Sequence, residues 1–232
     1  MSNRHEVTVS YTTFDETSSP VELIEEVESL LTNLRIGSDI LRFFDTVEST
    51  GATYQGHFLD HVFKHCSLLK KIECFFFALE SCNPKLSINT SIEELVFGSN
   101  IIYPIVLEQL SIRLPNLRTM SFFESSFMRY NGRCTYEKKL DINMQHNKFD
   151  KLHITRKPTQ EYSDFFLKYS RENEDTYFYN DLKPNFTWLS KCSYMDYYVR
   201  LSSKTTYFLN LRCKAVRELT IQFGSISINY LA

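Results

Sequence analysis

The chain has 232 residues, 43% of them apolar, and a formal net charge of −2 at neutral pH. That length can bury one sizeable core, and the near-neutral balance argues against a general polyanion binder, whose affinity rests on many Lys and Arg contacts to phosphate. Aromatic residues reach 15%, with 19 Phe and 14 Tyr, which predicts a core filled with rings.

In chain order, Val7, Val9 and Tyr11 alternate as a short strand does. Ser19-Pro20-Val21-Glu22 then starts a helix, with Ser as cap, Pro at the first helical position and Glu three residues past the cap. It runs to about Leu31, burying Val21, Ile24 and Val27 and presenting Glu22, Glu25, Glu26 and Glu28 to water. Leu31-x-x-Leu34-x-Ile36-Gly37-Ser38-Asp39 follows, and Ile92-x-x-Leu95-x-Phe97-Gly98-Ser99-Asn100 closely repeats it. Ile221-x-Phe223-Gly224-Ser225 is a third relative. Each is expected to be a strand from which glycine turns the chain sharply, with Ser, Asp or Asn capping the next helix. Leu41, Phe44 and Val47 continue as a helix that ends at Ser49-Thr50-Gly51. Residues 54–66 form another, with Phe58, Leu59, Val62, Phe63 and Cys66 on one side.

Leu69, Ile72 and Cys74 give the next strand, then Ile92, Leu95 and Phe97, a helix to about Arg113, and Leu117, Met120 and Phe122. Ile72 stands 23 residues before Leu95, and Leu95 25 before Met120, a period of stacked strand–helix units that bury their apolar faces against one another. The units become irregular from about residue 124. Leu140 with Ile142 reads as a strand, and Phe149, Leu152 and Ile154 match the pattern again. Tyr162, Phe165, Phe166 and Tyr169 have helical spacing, the polar, acidic stretch 170–185 reads as a loop, and 194–211 fits strand or helix equally. Val216, Leu219 and Ile221 restore the pattern, and Ile226 with Ile228 suggests a terminal edge strand.

The repeated φ-x-x-φ-x-φ strands, and the Leu114-Pro115-Asn116-Leu117-Arg118 approach to one of them, resemble leucine-rich repeats of the irregular, ribonuclease-inhibitor-like type. The texture is similar to the repeat region of fungal F-box/leucine-rich-repeat proteins, substrate receptors of ubiquitin ligases. Asn100 meets the position that such repeats give to asparagine. The resemblance implies an α/β solenoid, or horseshoe, with a mainly parallel curved sheet and helices on its convex side, forming a single domain over 1–232. It also implies a non-catalytic protein-interaction scaffold, of the kind that serves as the substrate-recognition domain of a ligase receptor, here without a visible F-box.

Other constellations compete with that reading. His57, His61 and His65 lie at i, i+4 and i+8 near Asp60 and Cys66, so a metal-dependent enzyme around His57 and His61 is one alternative. The helix lacks the intervening Glu of a metalloprotease, and no nucleophile elbow or phosphate loop occurs, so neither an enzyme nor a cofactor or metal is expected. Arg200, Lys204, Arg212, Lys214 and Arg217 lie among Tyr197, Tyr198, Tyr207 and Phe208, so residues 197–217 offer a nucleic-acid-binding alternative. A solvated helix face and an aromatic end-cap explain the same residues. Six cysteines, at 66, 74, 82, 134, 192 and 213, form no C-x-x-C pair and read as reduced core thiols. Asn89-Thr90-Ser91 and Asn185-Phe186-Thr187 match the glycosylation pattern by chance. No apolar run approaches the roughly 20 residues that span a bilayer, and no apolar signal core opens the chain. The expectation is an intracellular protein, cytoplasmic or nuclear, with no membrane partner.

Residues that alternate with the inward anchors should face out of the sheet. They are Glu73, Phe75, Val96, Ser121, Phe123, His153, Thr155, Thr220 and Gln222, expected as one row that takes a protein or peptide. Phe75 and Phe123 are its expected anchors.

Overall fold

The computed structural model describes residues 8–10, 30–36, 59–75, 78–79, 87–98, 101–102, 104–123, 126–127, 139–156, 163–172, 174–182, 187–201, 203 and 205–231. The early elements are β1 (Thr8–Ser10), β2 (Asn33–Ile36), α1 (59–65), β3 (Lys71–Phe75), β4 (Ala78–Leu79), β5 (Glu94–Gly98) and β6 (Ile101–Ile102). Then come α2 (Pro104–Arg113), β7 (Thr119–Phe123), β8 (Ser126–Phe127) and β9 (Lys139–Arg156). The last are β10 (Asp164–Arg171), β11 (Glu174–Asn180), β12 (Ser190–Cys192), α3 (Tyr194–Arg200), β13 (Thr206–Phe223) and β14 (Ile226–Leu231). Residues 21–29 and 41–47 of the expected helices lie outside the described residues, as do Gly37 and Asn100.

The chain is α/β, with a mostly parallel main sheet ordered β1-β2-β3-β5-β7-β9-β13-β10-β11-β12. Neighbours from β1 to β10 are parallel, whereas β11, β12 and β14 join antiparallel. Leu34, Ile72, Leu95, Met120, Leu152 and Leu219 are consecutive register partners and all are buried. A second small parallel sheet, β4-β6-β8, follows the main strands in the same order.

The backbone repeats one device at the four successive steps from β2 to β9. Thr32 O accepts the amides of Lys70 and Lys71, and Lys70 O accepts those of Glu93 and Glu94. Glu93 O then accepts from Arg118 and Thr119, and Arg118 O from Asp150 and Lys151. Side chains reinforce it at the helix ends, where the last carbonyls have no intrahelical donor. Asn89 is buried and its Nδ2 donates to Phe63 O and Cys66 O, each at 3.1 Å, after α1. Asn147, also buried, donates to Leu114 O at 2.7 Å, after α2. Asn89 is therefore an internal tie, in keeping with a chance match to the glycosylation pattern.

Pro104 is tolerated at the first position of α2, where its missing N–H would have no partner, and the following Leu114-Pro115 stops the helix. Val106, Leu107 and Leu110 join Leu59, Val62 and Phe63 of α1 in the main core, which also holds the inward residues of the sheet. Arg113 is wholly buried. Its guanidinium pairs with Asp60 of α1, donates through Nε to Ser87 O at 3.2 Å, and lies 4.6 Å from the centre of the Phe63 ring.

Several local readings are corrected. Residues 164–180 form neither a helix nor a loop but a hairpin of β10 and β11. Helical spacing misleads there because β10 is buried on both faces: Phe165 and Leu167 enter the main core, and Phe166 a second cluster with Phe208 and Tyr197. Residues 194–211 contain both alternatives, α3 and then β13. Ser193 and Asp196 cap α3 reciprocally. Tyr197 belongs to the cluster on the face opposite the main core, so α3 lies across the sheet from α1 and α2. The Gly-Ser pairs also differ in role. Gly98 ends β5, where a β-carbon would overlap the Phe75 ring, whereas Gly224, at φ 57°, opens the two-residue β13–β14 turn.

Candidate functional site

The sheet registers assemble the outward residues into two rows. Arg35, Glu73, Val96, Ser121, His153, Thr220 and Asn229 are successive partners across β2, β3, β5, β7, β9, β13 and β14. One pleat further along the strands, Phe75, Gly98, Phe123, Thr155, Gln222 and Ser227 do the same. All nine expected face residues therefore fall in these two rows. Gly98 adds a gap between the two Phe positions, which the Phe75 ring occupies.

Val96 does not face solvent as expected, being only 6% exposed, because every residue of β5 from Leu95 to Gly98 is buried. Phe123 is 39% exposed, and its ring lies 5.4 Å from that of His153, whose Nε2 is 2.9 Å from Thr155 Oγ1. Phe75 is half-buried, with Arg35 over its ring at 4.8 Å. Charges on this side are mutually paired: Glu73 bridges Arg35 and Lys71, Lys71 also reaches Glu94, and Lys151 reaches Glu218. The Lys71 ammonium is held above its usual range, chiefly by its hydrogen bond to Glu73. Such surface pairs contribute little stability, but they leave a face with little net field.

Burial pushes the His153 imidazole below its ordinary value of 6.5, with Glu218 opposing the shift. Below 6.5 the unfolded chain then takes up a proton that the folded chain resists, so this contribution to stability is complete above 6.5 and declines as pH falls through it. Melting temperatures of wild type and His153→Gln at about pH 7.5 and about pH 5.5 check this, since imidazole titrates inside that interval and most carboxylates below it. The acid-induced drop should shrink in the variant. Equal drops would show that His153 is not what couples stability to pH here.

The sequence, which fits strand or helix equally over 194–211, did not single out α3 as part of this face. Tyr194, Met195, Tyr198 and Val199 are exposed on α3, on the same side of the sheet as the two rows, and only Tyr197 of that helix is buried. Its strong capping box, Ser193 with Asp196, was the available sequence signal. Arg200 pairs with Asp164 at 3.7 Å, and the Tyr197 hydroxyl donates to Asn210 Oδ1 at 2.8 Å.

Members of the competing constellations are partly engaged in other contacts. His61 and His65 stack at 4.4 Å between ring centres, Asp60 is engaged by Arg113, and His57 lies outside the described residues. Among the described residues no group of three or more His, Cys, Asp or Glu is placed to hold a metal ion. Within 197–217, Tyr197, Tyr207 and Phe208 are buried, Arg217 pairs with Asp150, and Lys204 lies outside the described residues. Burial pushes the Cys74 and Cys213 thiols up to about 12 and Cys192 to about 11, so they remain protonated at neutral pH. No described helix is long and apolar enough to cross a membrane.

The architecture defines the chain as an α/β protein with a mostly parallel sheet and in-register outward rows. No protein-family model, no curated protein and no solved structure matches it.

Proposed function

We propose that the chain is a non-catalytic scaffold of the leucine-rich-repeat solenoid kind, which takes a protein or peptide on the sheet face opposite α1 and α2. The observation that carries this reading is the pair of registered outward rows running from β3 to β13, with Phe123 exposed among mutually paired charges. The fourfold recurrence of the strand-start hydrogen bonds supports the solenoid, because identical backbone joins are what stacked repeats produce. Exposed rings suit a protein partner, since large apolar area at low side-chain entropy cost anchors many interfaces. The exposed aromatics of α3 extend the same side. Presentation of substrates to a ubiquitin ligase is the specific role proposed, and it rests on the resemblance of the repeats.

The test is proximity labelling and affinity capture with wild type and a Phe75→Ser/Phe123→Ser double variant. Capture should fall about tenfold or more, since central aromatic anchors each contribute about 2 kcal/mol or more, while the melting temperature stays nearly unchanged. Full capture by a folded double variant would move the site off these rows. Loss of folding would instead identify both rings as core.

A further inference from the structure

We infer that the chain carries a separate site for a phosphate group, carried by a phosphorylated side chain or by a small phosphate compound, in the cleft where the β10–β11 hairpin tip meets the irregular middle of β9 and β13. The cleft arises from a break in register. Cys213 pairs with Met144 but Ala215 with Lys148, so β9 spends two more residues than β13 between those pairs. The extra backbone bulges, as unmatched residues in a ladder do, and re-aims the side chains beside it. The result is an open cleft of about 580 Å³ lined by Lys148, Arg171, Arg212, Lys214 and His146, with Glu172 as its one carboxylate. That volume suits a small ligand or a single modified side chain.

Most described cations elsewhere on the surface are held by carboxylates. Lys70, Lys71, Lys151 and Lys168 are each ion-paired, and so are Arg118, Arg200 and Arg217. Among the described residues Lys148, Arg171, Arg212 and Lys214 have no carboxylate within ion-pair range, yet all four converge on one cleft. Four cations against the single carboxylate of Glu172 leave an excess of positive charge that focuses a positive potential into the cleft and concentrates anions there. Two guanidinium forks and two ammonium groups match the several oxygens and double charge of a phosphate group. Single-stranded nucleic acid is the poorer fit, because no Phe, Tyr or Trp lines the cleft to stack successive bases. The site uses none of the outward-row residues, so it stands whether or not the scaffold reading does.

Isothermal titration of the full chain decides the matter, with pyrophosphate, a phosphoserine peptide, its unphosphorylated form and an oligothymidylate as probes. The phosphoserine peptide or pyrophosphate should bind and the unphosphorylated peptide should not. Arg171→Gln/Arg212→Gln should weaken that binding about tenfold or more, the loss expected when charge-assisted bonds are removed, with an unchanged melting temperature. Should that variant unfold, Lys148→Gln/Lys214→Gln carries the same expectation. Tighter binding of the phosphopeptide would identify a peptide as the source of the phosphate, and equal or tighter binding of pyrophosphate a free small molecule. Absence of binding by both phosphate probes, binding only of the oligonucleotide, or binding indifferent to the folded variants would overturn the site.

Discussion

Replacing Arg113 by alanine is expected to destabilise the protein by about 3–5 kcal/mol, the usual loss when one partner of a buried ion pair is removed. The side chain has no exposure and its partner Asp60 only 11%, so the change strands a carboxylate in a nearly dry place. It also leaves Ser87 O without its donor and removes the cation above the Phe63 ring. These contacts join α1 to α2 across 53 residues of sequence, so the damage should reach both helices. Urea unfolding measures it directly. A paired control, Arg113→Met with Asp60→Asn, should recover a large part of the loss, because removing both charges leaves no stranded ion. An unchanged midpoint in the alanine variant would place Arg113 in water.

Leu95→Ala is the second large change, expected at about 2–5 kcal/mol for a buried leucine that leaves a cavity. Leu95 is 2% exposed and lies in register between Ile72 and Met120, so its side chain fills the interval between two adjacent strands. The spread depends on how far the neighbours collapse, and two fixed backbones on either side allow little. Amide exchange should quicken in β3 and β7 together, because each unit buries its face against the next. An unaltered denaturation midpoint would mean that Leu95 is not a core anchor.

The strands built on Ile72, Leu95, Met120, Leu152 and Leu219 were legible because each sends its large apolar anchors to one face at alternate positions, so the residue pattern maps onto the pleat. Where that condition fails, the reading failed. Phe165, Phe166 and Leu167 are consecutive and all buried, because β10 packs against the main core on one side and the α3 cluster on the other. β9 looked like two strands because its bulge breaks the alternation: Leu140, Ile142 and Met144 are buried, then Asn147 and Phe149, then Leu152 and Ile154. The outward rows could be named from the same alternation, but Val96 shows its limit, since burial on the outer face depends on neighbouring strands. Arg113 and Asp60 gave no local signal. A buried pair separated this far in sequence exists only once two helices have packed. The cations of the cleft were visible only in part: Arg212 and Lys214 stood in a basic run, but Lys148 and Arg171 join them through the register shift and the hairpin.

The most direct measurement of the stacked-strand arrangement is a methyl-labelled nuclear Overhauser spectrum of Ile, Leu and Met side chains. Neighbouring strands lie about 4.8 Å apart, so register partners on one face bring their methyl groups within range of one another. Contacts should link Ile72 to Leu95, Leu95 to Met120, Met120 to Leu152 and Leu152 to Leu219 in one unbroken series. A spectrum with no Leu95–Met120 contact, or with those two methyl sets reporting separate neighbourhoods, would contradict it.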